Sequence, residues 1–151
     1  KLASGDAAGS VESFNNAIAA NGFDAFGCKN PVTAAAALSG LGWALVISNA
    51  GDSNTLKEAV SYQRKAIKSD AHFLPAYVRL AQLLEKQNKS KDAEALYKRL
   101  FAATQFEPIV GVPYGLFLSN AKRTEEARTV LKMVLEKHPG NKQAYDALSA
   151  L

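Results

Sequence analysis

Residues 74–103 read LPAYVRLAQLLEKQNKSKDAEALYKRLFAA, and this stretch decides the fold. A helix is predicted from about Pro75 to Lys86. Pro75 suits a first helical turn, where its missing N–H has no partner to lose. Tyr77, Leu80, Ala81 and Leu84 then fall at i, i+3, i+4 and i+7 and mark one apolar face. Asn88-Lys89-Ser90 reads as a turn. A second helix follows, with Ala93, Tyr97, Leu100 and Phe101 directed inward. Ala93 is small where the first helix must cross close to it.

The pattern recurs. Ala59, Ala93 and Ala127 are spaced by 93 − 59 = 34 and 127 − 93 = 34. Trp43, Tyr77 and Gly111 precede them by 16, Val46, Leu80 and Tyr114 by 13, and Ile47, Ala81 and Gly115 by 12. Gln63, Tyr97 and Leu131 follow four residues later, and Ala66, Leu100 and Val134 seven later. A period of 34 with an aromatic, a leucine, a small residue and a buried alanine resembles the tetratricopeptide repeat, TPR. The resemblance covers three units, 40–73, 74–107 and 108–141, and Tyr145 and Leu148 begin a fourth. It implies an all-α fold: a right-handed superhelical TPR solenoid of antiparallel helix pairs. Residues 1–39 would form an N-terminal helical extension or cap, and 142–151 a C-terminal capping helix.

In the first unit Gly51-Asp52 is the expected turn and Thr55 to Lys68 the second helix. In the third, Ser119-Asn120 lies near the turn and Thr124 to His138 forms the second helix. Lys137 and His138 suit a helix C-terminus, and Pro139-Gly140 stops it. Two departures stand out. The proline expected at each unit's end is present only as Pro139, with Ala71 and Gln105 in the other two places. Pro113 falls inside the first helix of the third unit, flanked by Gly111 and Gly115. It predicts a short, irregular helix or a distorted wall.

Residues 1–39 do not follow the repeat. Ser10 could cap a helix with Val11, Phe14 and Ile18 on one face, ended by Gly22. Phe23 and Phe26 follow in a loop. Pro31 starts an alanine-rich helix that runs into the first repeat. The N-terminal helix would cover the open end of the stack, pack on a second copy through residues 10–26, or lie in the groove. The chain begins at Lys1, which reads as a processed or truncated start, so neither cytoplasmic nor periplasmic placement is favoured.

Bulk properties agree with one soluble domain: 151 residues, 48% apolar and 21% charged. No charged residue stands between Lys29 and Asp52, and 31–51 is long enough to span a bilayer. Its polar residues and repeat register predict a buried TPR helix instead. The net charge of +4 is uneven. Residues 1–56 carry 2 − 4 = −2 and the remainder +6, which permits an acidic partner without requiring one. The single cysteine, Cys28, cannot form an intramolecular disulfide. Two isolated histidines and one cysteine give no metal set, and Gly40-Leu41-Gly42 lacks the rest of a phosphate loop. The reading is therefore no enzyme, no metal and no cofactor.

TPR arrays bind other proteins in a concave groove. Carried across by register, the resemblance places Leu41, Ala44, Ser48 and Gly51 on that wall in the first unit. Pro75, Val78, Gln82 and Glu85 follow in the second, then Ile109, Val112, Leu116 and Ser119 in the third. TPR cochaperones that hold acidic chaperone tails use lysine, asparagine and arginine there. Here Ala44, Ser48, Val78 and Gln82 stand near those places and argue against that function. A basic groove with interleaved aromatics is missing, which argues against nucleic acid. The apolar wall suits an extended or helical apolar peptide, unless the chain covers it itself. The expected function is a protein-interaction module, an adaptor or assembly scaffold. The alternatives are a secretion-type TPR chaperone dimerising through its N-terminal helix and a self-assembling TPR scaffold.

Overall fold

The structure, a computed structural model, describes residues 31–48 and 52–151 together with positions 9, 12, 13 and 16. The expected N-terminal face of Val11, Phe14 and Ile18, the loop with Phe23 and Phe26, Cys28 and Gly51 lie outside the described residues. So does the dimer contact expected through 10–26, apart from positions 12, 13 and 16. The described residues form seven helices and no strand. These are α1 (Pro31–Ser48), α2 (Ser53–Ser69), α3 (Leu74–Lys86), α4 (Ser90–Ala103), α5 (Pro108–Asn120), α6 (Thr124–Lys137) and α7 (Lys142–Ser149). No helix among them is long and apolar enough to cross a membrane. The chain divides into two compact units, Lys1–Lys89 and Ser90–Leu151.

In the first unit α2 packs against both α1 and α3, and α1 also touches α3. Asp52 caps α2: its Oδ2 accepts from the Thr55 N–H and the Thr55 hydroxyl, both at 2.8 Å. Ala59, Gln63 and Ala66, spaced by four and three, are fully buried on one stripe of α2. Against them lie two clusters. Ala35, Leu38, Ala66 and Ala76 form one with Tyr62, Ile67 and Phe73. Val46, Ala59, Val60 and Leu83 form the other with Trp43, Leu56 and Leu80. Helix α1 accordingly buries Ala34, Ala35, Leu38 and Leu41, as a core helix does. In α3 the buried set is Ala76, Val78, Ala81 and Leu83. The predicted face of Tyr77, Leu80 and Leu84 is only partly buried.

The first unit corrects the sequence register. Gly42 packs where the period places Ile47. A Cβ on Gly42 would lie 3.0 Å from Gln63 Nε2 and 3.1 Å from the Ala59 carbonyl. The equivalent contact in the third sequence repeat is Gly115, where a Cβ would lie 2.8 Å from Leu131 Cγ. Two periods before Gly115 is 115 − 68 = 47, so α1 is slid along α2 by 47 − 42 = 5 residues. Three of the five extra residues lengthen α2 at its start, which is Ser53 rather than 90 − 34 = 56. The physical reason is space, because only a residue without a side chain fits against Gln63 and Ala59.

In the second unit α5 is central and packs against α4, α6 and α7. Ala93, Tyr97, Leu100 and Phe101 of α4 are buried as predicted. Tyr97 stacks on Tyr114 with ring centroids 5.6 Å apart, and Phe101 meets Phe106 at 4.8 Å. Pro113 does not shorten α5, which spans 13 residues like α3. The ring removes one backbone N–H, and packing against α4, α6 and α7 holds the helix. Gly111 and Gly115 have a role beyond weakening the helix. A Cβ on Gly111 would lie 2.2 Å from Val134 Cγ2 and 2.8 Å from Phe101 Cε2. The aromatic missing from position 111 is thus replaced by Phe101 reaching in from α4. Where Gln105 replaces the expected proline, Gln105 and Phe106 both take left-handed backbone, at φ 53° and 70°. The Phe106 N–H then bonds the Phe101 carbonyl at 3.0 Å. Asn141 caps α7 through the Ala144 N–H at 2.8 Å.

Candidate functional site

The sliding of α1 changes which residues form its part of the wall. The counterparts of Val78 and Gln82 become 78 − 34 − 5 = 39 and 82 − 34 − 5 = 43, that is, Ser39 and Trp43 rather than Ala44 and Ser48. The contacts agree. Arg79 on α3 donates from Nη1 to Ser39 Oγ at 2.8 Å, and its Cζ lies 5.9 Å from the centre of the Trp43 ring. That is cation–π distance. Gln63 Nε2 donates to the Ser39 carbonyl at 3.0 Å. Ser39 and Gln63 are fully buried, while Arg79 and Trp43 are partly buried. Burial pulls the Arg79 guanidinium below its ordinary pKa. The Gln63 Oε1 acceptor is buried with no partner among the described residues.

The predicted wall residues fall into three groups. Ala44, Val78 and Val112 are buried, at 2%, 6% and 7% exposure. Gln82, Glu85 and Ser119 are partly buried. Ser48, Ile109 and Leu116 are exposed. In the first unit Arg79 joins Ser39 to Trp43 one helical turn before Gln82. Sequence reasoning missed Ser39 and Trp43 as wall residues, because the period was anchored on Ala59 and carried backwards across an inserted turn. The glycine at 42 was the available signal.

In the second unit Ile109 and Leu116 lie seven residues apart on α5 and are 42% and 48% exposed, although every other large apolar side chain of that helix is buried. The remaining charge chemistry of this unit is structural. Glu94 on α4 bonds Lys98 Nζ at 2.7 Å and Arg123 Nη1 at 2.9 Å, and Arg123 forks onto Glu126 through two bonds of 2.6 Å. Glu94 sits below the ordinary carboxylate range because it accepts from Lys98 and then from Arg123, and Glu126 because it accepts from Arg123. Burial pushes the nearby Tyr114 hydroxyl up. His138 Nε2 stands 4.0 Å from Glu107 Oε1. Among the described residues no group of histidine, cysteine and carboxylate side chains could hold a metal. A cavity of about 370 Å³ is lined by Ser53, Leu56 and residues 86–89, and none of the wall residues lines it.

Paired antiparallel helices with buried alanines at the crossings define a helical-repeat protein of the all-α class. Residues 74–104 and 114–141 each match a family model described as tetratricopeptide repeat. No curated protein matches the chain in sequence. Among solved structures the chain is similar to a thermophilic TPR protein in Thermus thermophilus. The TM-score is 0.77 at 16% identity, covering 97% of this chain and 73% of that one. It is also similar to MamA AMB-1, with a TM-score of 0.57 at 18% identity over 97% of this chain and 75% of that one. At such identities the likeness concerns the fold. The chain is a tetratricopeptide-repeat protein. TPR proteins are in general non-enzymatic interaction modules, and in that general sense the chain is a protein–protein interaction scaffold.

Proposed function

We propose that the chain binds a peptide or a segment of a partner subunit along the exposed side of its first-helix walls, as an adaptor or assembly scaffold, and catalyses nothing itself. In this reading 40–141 act as three repeat units and 142–151 as the capping helix. Each compact unit presents its own wall: Val78, Gln82 and Glu85 with Ser39 and Trp43 in 1–89, and Ile109, Val112, Leu116 and Ser119 in 90–151. The observation that carries it is the exposure of Ile109 and Leu116 on a helix with no charged side chain. Apolar side chains left open on one face suit an apolar partner segment.

A photo-crosslinking amino acid placed at Leu116, with a second copy of the experiment at the exposed Thr129 on α6, tests this. The reading expects one partner crosslinked from position 116 and not from 129. Crosslinking only from 129 would move the binding face to the second helices. Nucleic acid has no part in the proposal, since none of these wall residues is basic.

A further inference from the structure

We propose that the outward face of α2 docks on an anionic phospholipid surface, which the helix meets lengthwise and does not enter. The inference goes beyond the wall reading and uses none of its residues. The buried stripe of α2 runs through Ala59, Gln63 and Ala66. Opposite it, Lys57, Ser61, Arg64 and Lys68 follow at intervals of four, three and four, which keeps them on one face. All four are exposed. Their line covers 68 − 57 = 11 residues, about 16 Å of helix. Glu58, the one acid of the helix, lies a quarter-turn to the side. Ser53, one turn before Lys57, opens the same face onto the cavity of about 370 Å³, where Lys86 and Lys89 join it. Lys57, Arg64, Lys68, Lys86 and Lys89 thus bring positive charge to one side of the unit 1–89.

The repeat does not require this charge. Over their helical spans α2 carries 4 − 1 = +3, α4 3 − 2 = +1 and α6 3 − 3 = 0. Where the period brings the four stripe positions round in α6, they are Glu125, Thr129, Lys132 and Glu136. In those other helices basic groups meet acids of their own helix: Lys98 bonds Glu94 at 2.7 Å, and Arg128 stands 3.8 Å from Glu125. On α2, Arg64 and Lys68 are like charges four residues apart, an arrangement that weakens a helix slightly. A surface that supplies negative charge along the whole line offsets that cost. Shape then chooses among polyanions. A plane touches a convex helix along its length, so the full stripe reaches one bilayer. A nucleic-acid duplex is itself convex and meets fewer of the cations. A single strand is held by stacking on open aromatic rings, and the ring beside the stripe, Tyr62, is half-buried with Lys65 Nζ over it at 5.2 Å. Lysine ammonium groups on flexible stems act as point charges without fixed geometry, as a fluid layer of headgroups allows.

Vesicle sedimentation of the full chain tests this. The vesicles are phosphatidylcholine alone and phosphatidylcholine with about 30% phosphatidylserine, each at low and at high salt. The chain is expected to sediment with the anionic vesicles and not with the neutral ones, and to come off as salt rises. Lys57→Gln/Arg64→Gln/Lys68→Gln removes the stripe. At about fivefold in partition per cation, this variant should bind roughly a hundredfold more weakly. Lys91→Gln/Arg99→Gln/Lys132→Gln removes the same charge from exposed positions of the unit 90–151 and should lose far less. Lys57→Arg/Lys68→Arg keeps the charge and should bind like the wild type. Circular dichroism melts check that each variant is folded. Equal losses in the two neutralised variants would overturn the proposal, since net charge alone would then drive binding. Sedimentation with neither vesicle would overturn it too, as would full binding by the folded stripe variant. A duplex DNA or polyglutamate competitor that strips the chain from the vesicles at equal charge would give the stripe to that polyanion and overturn the lipid reading.

Discussion

Gln63 stands where the other two units carry Tyr97 and Leu131, and all three are essentially inaccessible to water. The glutamine donates its amide N–H to the Ser39 carbonyl, and its Oε1 has no partner among the described residues. A buried acceptor left unpaired costs more than its one hydrogen bond returns. Gln63→Leu is therefore expected to raise stability by about 1 kcal/mol in thermal or urea melts. The glycines argue in the opposite direction. Alanine has the better helix propensity by about 1 kcal/mol, yet a Cβ at Gly111 would overlap Val134 Cγ2 at 2.2 Å. Overlap wins, and Gly111→Ala should destabilise by roughly 1–3 kcal/mol. The same argument applies to Ala93 and Ala127, both fully buried. Leucine at either is expected to cost roughly 1–3 kcal/mol, and unchanged melting of both would contradict the close packing at these alanines.

At the scale of elements, the packing of α5 on α6 was legible because Gly115 and Ala127 keep the count that Ala81 and Ala93 set in the sequence. Ala81 and Gly115 both stand 12 residues before their alanines. The first repeat breaks that count mainly in an added first turn of α2, ahead of the apolar stripe that records the period. Its helix was visible as an uncharged run, but its register was set by where two backbones can approach, at Gly42. The length of α5 was misread for a related reason: propensity counts Pro113 and two glycines against a helix, while packing on three neighbours restores it. The link between α4 and the α5–α6 turn gives a pH prediction. Glu94 and Glu126 hold their protons less tightly when folded than at the ordinary value of 4.5. Their contribution is thus complete above about pH 4.5 and drains away as pH falls through the lower folded values. The gap in melting temperature between the wild type and Arg123→Met should shrink from pH 7 to pH 3. A gap that stays constant would remove these ion pairs from the account.

At the scale of the molecule, the family was readable from the 34-residue spacing and the partner was not, because spacing reports how helices stack and not what lies against them. Burial separates the two. Of the wall residues read by register, Val78 and Val112 belong to the packed interior as much as to any binding face, so an arginine at either would bury a charge. Ile109 and Leu116 can be changed without that penalty. The most direct measurement is therefore calorimetric titration of the crosslinked partner segment, made as a synthetic peptide, into the wild type and into Ile109→Arg/Leu116→Arg. The account predicts that the double variant melts within a few degrees of the wild type and loses at least tenfold in affinity. Full affinity in a folded double variant would contradict the claim that this TPR chain binds through the exposed face of its first-helix wall.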